Sequence, residues 1–136
     1  MTDDELTGTI VMVHPELFDD PVGRNGEIGV ITVTDLSDDL VRVKFEDDQR
    51  GLYATNALLI FKPSEQIYQQ LKQEAMQLTP ATFKDLKNIA LLLDYGTPQQ
   101  QRKAMEIAQK NPVSASSALV SLEESLGISQ TYKRGR

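Results

Sequence analysis

Hydrophobic residues change their spacing once along the chain, at Lys62 and Pro63. Before this point, short runs rich in β-branched residues alternate with clusters of Gly and Asp, which is typical of strands joined by tight turns. After it, apolar residues recur every three or four positions, and Pro stands near the start of the segments, as in amphipathic helices. The pattern therefore predicts a β unit followed by a helical unit, in the α+β class.

Five strands are predicted in the first half, at residues 9–13, 28–34, 40–46, 51–54 and 58–61. The third alternates with period two: Val41, Val43 and Phe45 share one face, and Arg42, Lys44 and Glu46 share the other. The first strand is apolar at every position from 10 to 13, and the last is apolar at every position from 58 to 61. We therefore expect both faces of these strands to be buried. If the five strands form a small barrel, only the inner side of the barrel is buried by the strands themselves. We therefore expect the later helices to cover the outer side of the first and last strands.

Helices are predicted at residues 64–78, 80–95, 98–110 and 114–126. Thr79 and Thr97 each precede a Pro, which places a helix-capping hydroxyl before a favoured first helical residue. Gly96 is expected to end the second helix. These signals predict a bundle of three to four helices, packed against the β unit.

Three segments of the first half resemble the SH3-like small β-barrel in its KOW-type form. A glycine-containing strand at 26–31 precedes the alternating strand at 40–45, and residues 53–58 are similar to the short turn before the last strand of such folds. The resemblance spans about residues 6–62 and implies a five-stranded barrel that contacts RNA or the ribosome. The whole chain also resembles uncharacterised bacterial proteins, which implies no mechanism.

The domain organisation predicted from these patterns has three parts. Residues 1–62 form the SH3-like barrel, residues 63–127 form the helical domain packed on it, and residues 128–136 form a flexible basic tail. The first 62 residues carry 13 acidic and 5 basic side chains, a net of −8, and the rest carry 7 and 9, a net of +2. Because nucleic acids are held mainly by Lys and Arg, this acidity disfavours simple transfer of the RNA contact.

Composition excludes several kinds of chemistry. The chain has no Cys, so thiolate metal sites and Cys nucleophiles are excluded, and its single histidine, His14, cannot build a three-histidine zinc site. We expect His14 to have a loop or capping role, because no partner for a general base is indicated. The sequence thus predicts no enzyme, cofactor or metal site. No apolar run reaches 18 residues, so we expect no membrane partner and a cytoplasmic location.

Pairs of aspartates stand in three predicted loops, at 19–20, 38–39 and 47–48. Asp favours turns because its carboxylate bonds to nearby backbone groups. The same carboxylates, if loops converge, could instead bind Ca²⁺ or form an acidic rim for a partner.

We interpret the chain as a non-enzymatic protein-interaction module, with an RNA- or ribosome-associated accessory protein as the alternative. The candidate protein-binding residues lie in the long first loop: Leu17, Phe18, Asp19, Asp20 and Val22. Phe18 is either an exposed anchor for a protein partner or a residue that closes the barrel end. The candidate nucleic-acid-binding residues are Arg42, Lys44, Tyr53, Lys133, Arg134 and Arg136. The alternative for Arg42 and Lys44 is a solvated strand face that protects the sheet from edge pairing. The sequence leaves the oligomeric state open.

Overall fold

The computed structural model describes residues 6–16 and 23–126, which form an α+β fold. The strands are β1 (Ile10–Val13), β2 (Ile28–Asp35), β3 (Leu40–Phe45), β4 (Arg50–Tyr53), β5 (Leu58–Phe61) and β6 (Leu119–Ser121). The helices are α1 (Ser64–Glu74), α2 (Pro80–Tyr95), α3 (Pro98–Lys110) and α4 (Pro112–Ala118), and residues 122–126 are also helical. The described residues divide into two compact units, one of residues 6–16, 23–60 and 120–126 and one of residues 61–119.

The six strands form one antiparallel sheet in the order β4-β3-β2-β1-β5-β6. The five predicted strands are confirmed to within one residue at their ends. The predicted number of strands is wrong, because Leu119–Ser121 lies in the predicted last helix and instead forms β6 beside β5. Strand order begins at β4 and ends at β6, so the sheet of the described residues is open.

The β unit has an aliphatic and aromatic core on one face of its sheet. Its buried members are Leu6, Val11, Val13, Ile31, Val41, Val43, Phe45, Tyr53, Ala57, Leu58, Leu122 and Leu126. The last two belong to the helical residues 122–126, so the C-terminal segment contributes to the core of the β unit. The inward set on β3 is the one that period-two alternation predicts.

Strand β1 is buried at all four residues, which confirms the expectation drawn from its uninterrupted apolar run. Val11 and Val13 belong to the core, and Ile10 and Met12, which alternate with them, are also buried. On β5 only Leu58 is buried and the next three residues are half-buried. The expectation for the last strand is therefore met only in part.

Strand β2 carries a bulge at Thr32, where its pairing with β3 shifts between Ile31 and Val33. A bulge inserts one extra residue and increases the local twist. Thr32 Oγ1 donates a hydrogen bond to the carbonyl oxygen of Arg42, at 3.3 Å. Gly29, near the start of β2, lies close to Val43 of β3. A Cβ atom added to Gly29 would overlap Val43 Cγ1.

The helical unit begins and ends its elements largely as the sequence predicts. The hydroxyls of Thr79 and Thr97 accept hydrogen bonds from the third residue after each, and Gly96 ends α2 with a φ of 74°. Helix α1 ends at Glu74, four residues before the predicted end. The buried apolar residues of this unit are Ile67, Leu71, Leu86, Ile89, Ala90, Ala104, Met105, Ala108, Ala118 and Leu119.

Candidate functional site

A mixed apolar and cationic surface lies on the side of β2, β3 and β4 that faces away from the core. Antiparallel register places Arg42 opposite Val33 of β2 and Leu52 of β4. Two residues further along β3, Lys44 lies opposite Val30 of β2 and Arg50 of β4. Directly opposite residues share a face of a sheet and have Cβ atoms about 5 Å apart, so these two rows form a continuous surface. We call Val33, Arg42, Lys44, Arg50 and Leu52 the outer face.

The apolar members of the outer face are well exposed. Val33 and Leu52 are each 50% exposed, and they lie on either side of Arg42, which is itself exposed. Leu40, at the start of β3, adds a third apolar residue that is 41% exposed. Single exposed apolar residues are ordinary, but a group around a cation is a feature of binding surfaces.

The cations of the outer face are weakly engaged. Lys44 Nζ lies 3.3 Å from Asp48 Oδ1, in a pair whose side chains are 42% and 81% exposed. An exposed ion pair of this kind stabilises a fold by about 1 kcal/mol at most, so Lys44 can exchange this carboxylate for another. Within residues 6–16 and 23–126, neither Arg42 nor Arg50 takes part in a salt bridge.

Tyr53 is not part of this surface, although the sequence groups it with Arg42 and Lys44. It lies opposite Val41, an inward residue, and only 3% of it is exposed. Its ring makes an edge-to-face contact with Phe45, with centroids 6.4 Å apart. From this position Tyr53 cannot stack on a base. Arg50 takes its place beside Lys44, and sequence reasoning missed it because the predicted strand began one residue later.

Arg24 forms salt bridges that connect the segment before β2 with the turn between β3 and β4. Its guanidinium contacts Glu27 Oε1 at 2.9 Å and Asp47 Oδ2 at 2.6 Å, and lies 5.1 Å from the centroid of the Phe45 ring. The hydrogen bond from Arg24 lowers the pKa of the Asp47 carboxyl. Arg24 thus bonds to two carboxylates and lies over the ring of the buried Phe45, so it has a structural role.

Asp35 and Asp39, at the two ends of the turn between β2 and β3, each accept hydrogen bonds from other residues. Asp39, with a φ of 56°, accepts hydrogen bonds from the Thr55 backbone N–H at 3.0 Å and from Thr55 Oγ1 at 2.7 Å. Asp35 accepts from Ser37 Oγ at 2.7 Å, which lowers the pKa of the Asp35 carboxyl. Among the described residues, no group of three or more His, Asp and Glu side chains is placed to hold a metal ion.

His14 directly follows strand β1. The Nδ1 atom of His14 accepts a hydrogen bond from the Glu16 backbone N–H at 3.1 Å, a local turn contact. The remaining candidates lie outside the described residues: Leu17, Phe18, Asp19, Asp20, Val22, Lys133, Arg134 and Arg136.

Compared with family models, with curated proteins and with solved structures, the chain matches none. In the part of the chain that the structure describes, no helix combines the length and the apolar character needed to cross a membrane.

Proposed function

We propose that this protein is a non-enzymatic interaction module that binds a partner protein through the outer face. The observation that carries the proposal is the row of Val33, Arg42 and Leu52, in which an Arg that forms no salt bridge with any described residue stands between two half-exposed aliphatic residues. Arg is enriched in protein interfaces and among the residues that dominate their binding energy. Aliphatic residues beside it exclude water and strengthen its electrostatic contact with a partner.

The charge of the outer face defines the chemistry of the partner. Three cations lie on two adjacent strands, at Arg42, Lys44 and Arg50. They stand out in a half of the chain that has a net charge of −8. A partner with carboxylates and aliphatic side chains complements this surface, whereas a basic partner is repelled by it.

The proposed role is compatible with an SH3-like architecture, which we infer for the β unit. Strand β1 pairs with both β2 and β5, while β2, β3 and β4 follow one another as antiparallel neighbours. A 3₁₀ turn at Thr55–Ala57 precedes β5, at the place where the sequence resembles the corresponding turn of SH3-like folds. Both features support this inference, and the barrel remains part of the proposal.

A peptide-display selection tests the proposed function. Peptides that combine acidic and aliphatic residues are expected to be enriched on the full-length protein. Arg42→Glu is expected to weaken their binding at least tenfold, because it reverses the central charge. The matched control is Lys103→Glu, the same change of charge at an exposed position of α3. Enrichment of no peptide, or equal binding by the Arg42→Glu protein, would overturn the proposal.

Association with RNA is the second candidate, and the three cations of the outer face favour it. Binding by phosphate contacts predicts affinity that falls steeply with salt. The buried position of Tyr53 argues against it, because single-stranded nucleic acid is bound mainly by aromatic stacking together with charge. An NMR titration with mixed-sequence single-stranded RNA, at low and at physiological salt, separates the two. Salt-dependent shifts at Arg42, Lys44 and Arg50 would favour RNA over a protein partner.

A further inference from the structure

We infer that the partner of the proposed interaction module is an extended acidic segment that adds to the free edge of β4 as a further strand. The inference rests on the proposed function and specifies how the partner binds. Strand β4 stands at one end of the sheet order, so within residues 6–16 and 23–126 only one of its edges is paired, with β3. An unpaired edge presents backbone N–H and C=O groups that can accept a strand from another chain.

The hydrogen-bond pattern identifies which residues of β4 present these groups. Phe45 and Gln49 are directly opposite at the turn, and the Phe45 N–H donates to the Gln49 carbonyl oxygen at 2.9 Å. Hydrogen-bonded pairs of an antiparallel ladder recur at every second residue. On β4, Gly51 and Tyr53 follow Gln49 at every second residue, so their N–H and C=O groups point toward β3. Arg50 and Leu52 lie between them and direct their N–H and C=O groups away from β3.

No described residue bonds to these outward groups, because the backbone hydrogen bonds of the described turns, loops and caps include none from Arg50 or Leu52. Both residues are also exposed. The edge thus offers two backbone donors and two acceptors at the spacing that an antiparallel or parallel strand requires.

Side chains beside this edge determine which strand it accepts. An added strand would place every second side chain on the outer face, opposite Arg50 and Leu52. An acidic residue fits opposite Arg50, and an aliphatic residue two positions away fits opposite Leu52. On the other face β4 presents Gly51, over which the Tyr53 ring lies, with the ring 2.8 Å from the position of a Cβ atom on Gly51. The expected ligand is an extended segment in which acidic and aliphatic residues alternate at every second position, so that both kinds lie on the outer face.

The same charges argue against a second copy of this chain as the occupant. Two β4 strands paired edge to edge would bring Arg50 of each copy, with Arg42 and Lys44 behind it, onto one surface. Like charges across neighbouring strands are destabilising, and cations on an edge strand are a common means of preventing self-association. Charge complementarity therefore selects an acidic strand from a different protein.

Amide hydrogen exchange followed by NMR tests the inference. The probe is a capped eight-residue peptide in which Glu and Val alternate at every second position with Thr between them, Glu-Thr-Val-Thr-Glu-Thr-Val-Thr, added to the full-length protein. The amides of Arg50 and Leu52 are expected to exchange at least tenfold more slowly with the peptide, because they gain hydrogen bonds. The amides of Arg42 and Lys44, which lie between β2 and β4, serve as internal controls with unchanged exchange.

Two control peptides separate strand addition from charge attraction alone. The first is methylated at the alternate backbone nitrogens that would face β4, which removes the donors and keeps every side chain. It is expected to lose at least tenfold in affinity. The second replaces Glu by Lys and is expected not to bind.

The outcomes distinguish this inference from the function on which it rests. If selected or synthetic peptides bind through Arg42 but leave the Arg50 and Leu52 amides unprotected, strand addition is overturned and the proposed function stands. If no peptide binds in an Arg42-dependent way, both are overturned. Protection of these amides by a higher concentration of the protein alone would overturn the choice of an acidic partner in favour of a second copy.

Discussion

The two faces of strand β3 differ in what their side chains do. Val41 and Val43 are fully buried and Phe45 is 3% exposed, so the inward residues take part in the core. Arg42, one position away from two of them, is exposed between two half-exposed aliphatic residues. Because successive residues of a strand point to opposite faces, one stretch of six residues both stabilises the fold and presents a surface. Substitutions on the two faces should therefore have separable effects.

Phe45→Ala is the substitution expected to have the largest effect. It removes a buried ring that contacts Tyr53 edge to face and lies under the Arg24 guanidinium. Truncation of a buried Phe costs about 3–5 kcal/mol of unfolding free energy, which is a large part of the stability of a small domain. Urea unfolding followed by circular dichroism measures it.

Phe45→Leu is the matched control for the aromatic ring. It keeps an apolar side chain at the position, so its expected cost is smaller than that of Phe45→Ala. If Phe45→Ala lowered the unfolding free energy by less than about 1 kcal/mol, the inward face of β3 would not be the core of the β unit.

Asp39→Ala is expected to have the next largest effect. It removes both hydrogen bonds to Thr55, a residue that is 6% exposed, and leaves the Thr55 N–H without its carboxylate partner. An unsatisfied buried donor costs about 1–3 kcal/mol, and Ala tolerates the positive φ of Asp39 poorly. Asp39→Asn, which keeps an acceptor oxygen and tolerates this φ, should retain most of the stability. Equal losses in both variants would contradict a role for these hydrogen bonds.

Asp47→Asn is expected to have a smaller effect that depends on pH. Because Arg24 lowers the pKa of Asp47 in the folded protein, the ionised carboxylate stabilises the fold above the unfolded pKa of about 4. This contribution is lost as the pH falls through the lowered folded value. The difference in urea midpoint between the protein and its Asp47→Asn variant should be present at pH 7 and shrink as the pH falls below the unfolded pKa of about 4. A difference that stayed constant with pH would show that the charge of Asp47 is not involved.

Much of the fold could be predicted from sequence because local patterns agree with the tertiary structure. The alternation along β3 and the Thr-Pro starts of α2 and α3 give the correct elements. Strand β6 could not be predicted in this way, because Leu119, Leu122 and Leu126 have helical spacing. Its extended conformation depends on pairing with β5, which lies almost 60 residues earlier in the chain. Pairing between such distant segments leaves no periodic signal.

The candidate surface was only partly predictable for a related reason. Alternation along β3 gives the outward positions of Arg42 and Lys44, but the neighbours on each side depend on register. The bulge at Thr32 brings Val33 opposite Arg42, and the β3–β4 turn brings Leu52 there and Arg50 beside Lys44. Neither register can be read from composition. Tyr53 lies on the strand next to β3, as predicted, but its side chain faces the core, because the register places it opposite the inward Val41.

Arg42→Ala is expected to have the smallest effect on stability and a large effect on binding. Arg42 forms no salt bridge among the described residues, and its side chain is exposed. Surface substitutions of this kind change the unfolding free energy by about 0.5 kcal/mol or less. Urea unfolding of Arg42→Ala and of Lys103→Ala, an exposed cation of α3, should therefore give nearly the same midpoint. Only Arg42→Ala should weaken the binding of selected acidic peptides, because only that residue lies on the outer face. A loss of more than about 1 kcal/mol in the Arg42 variant alone would mean that the outer face also takes part in folding, and the separation of the two faces would then be wrong.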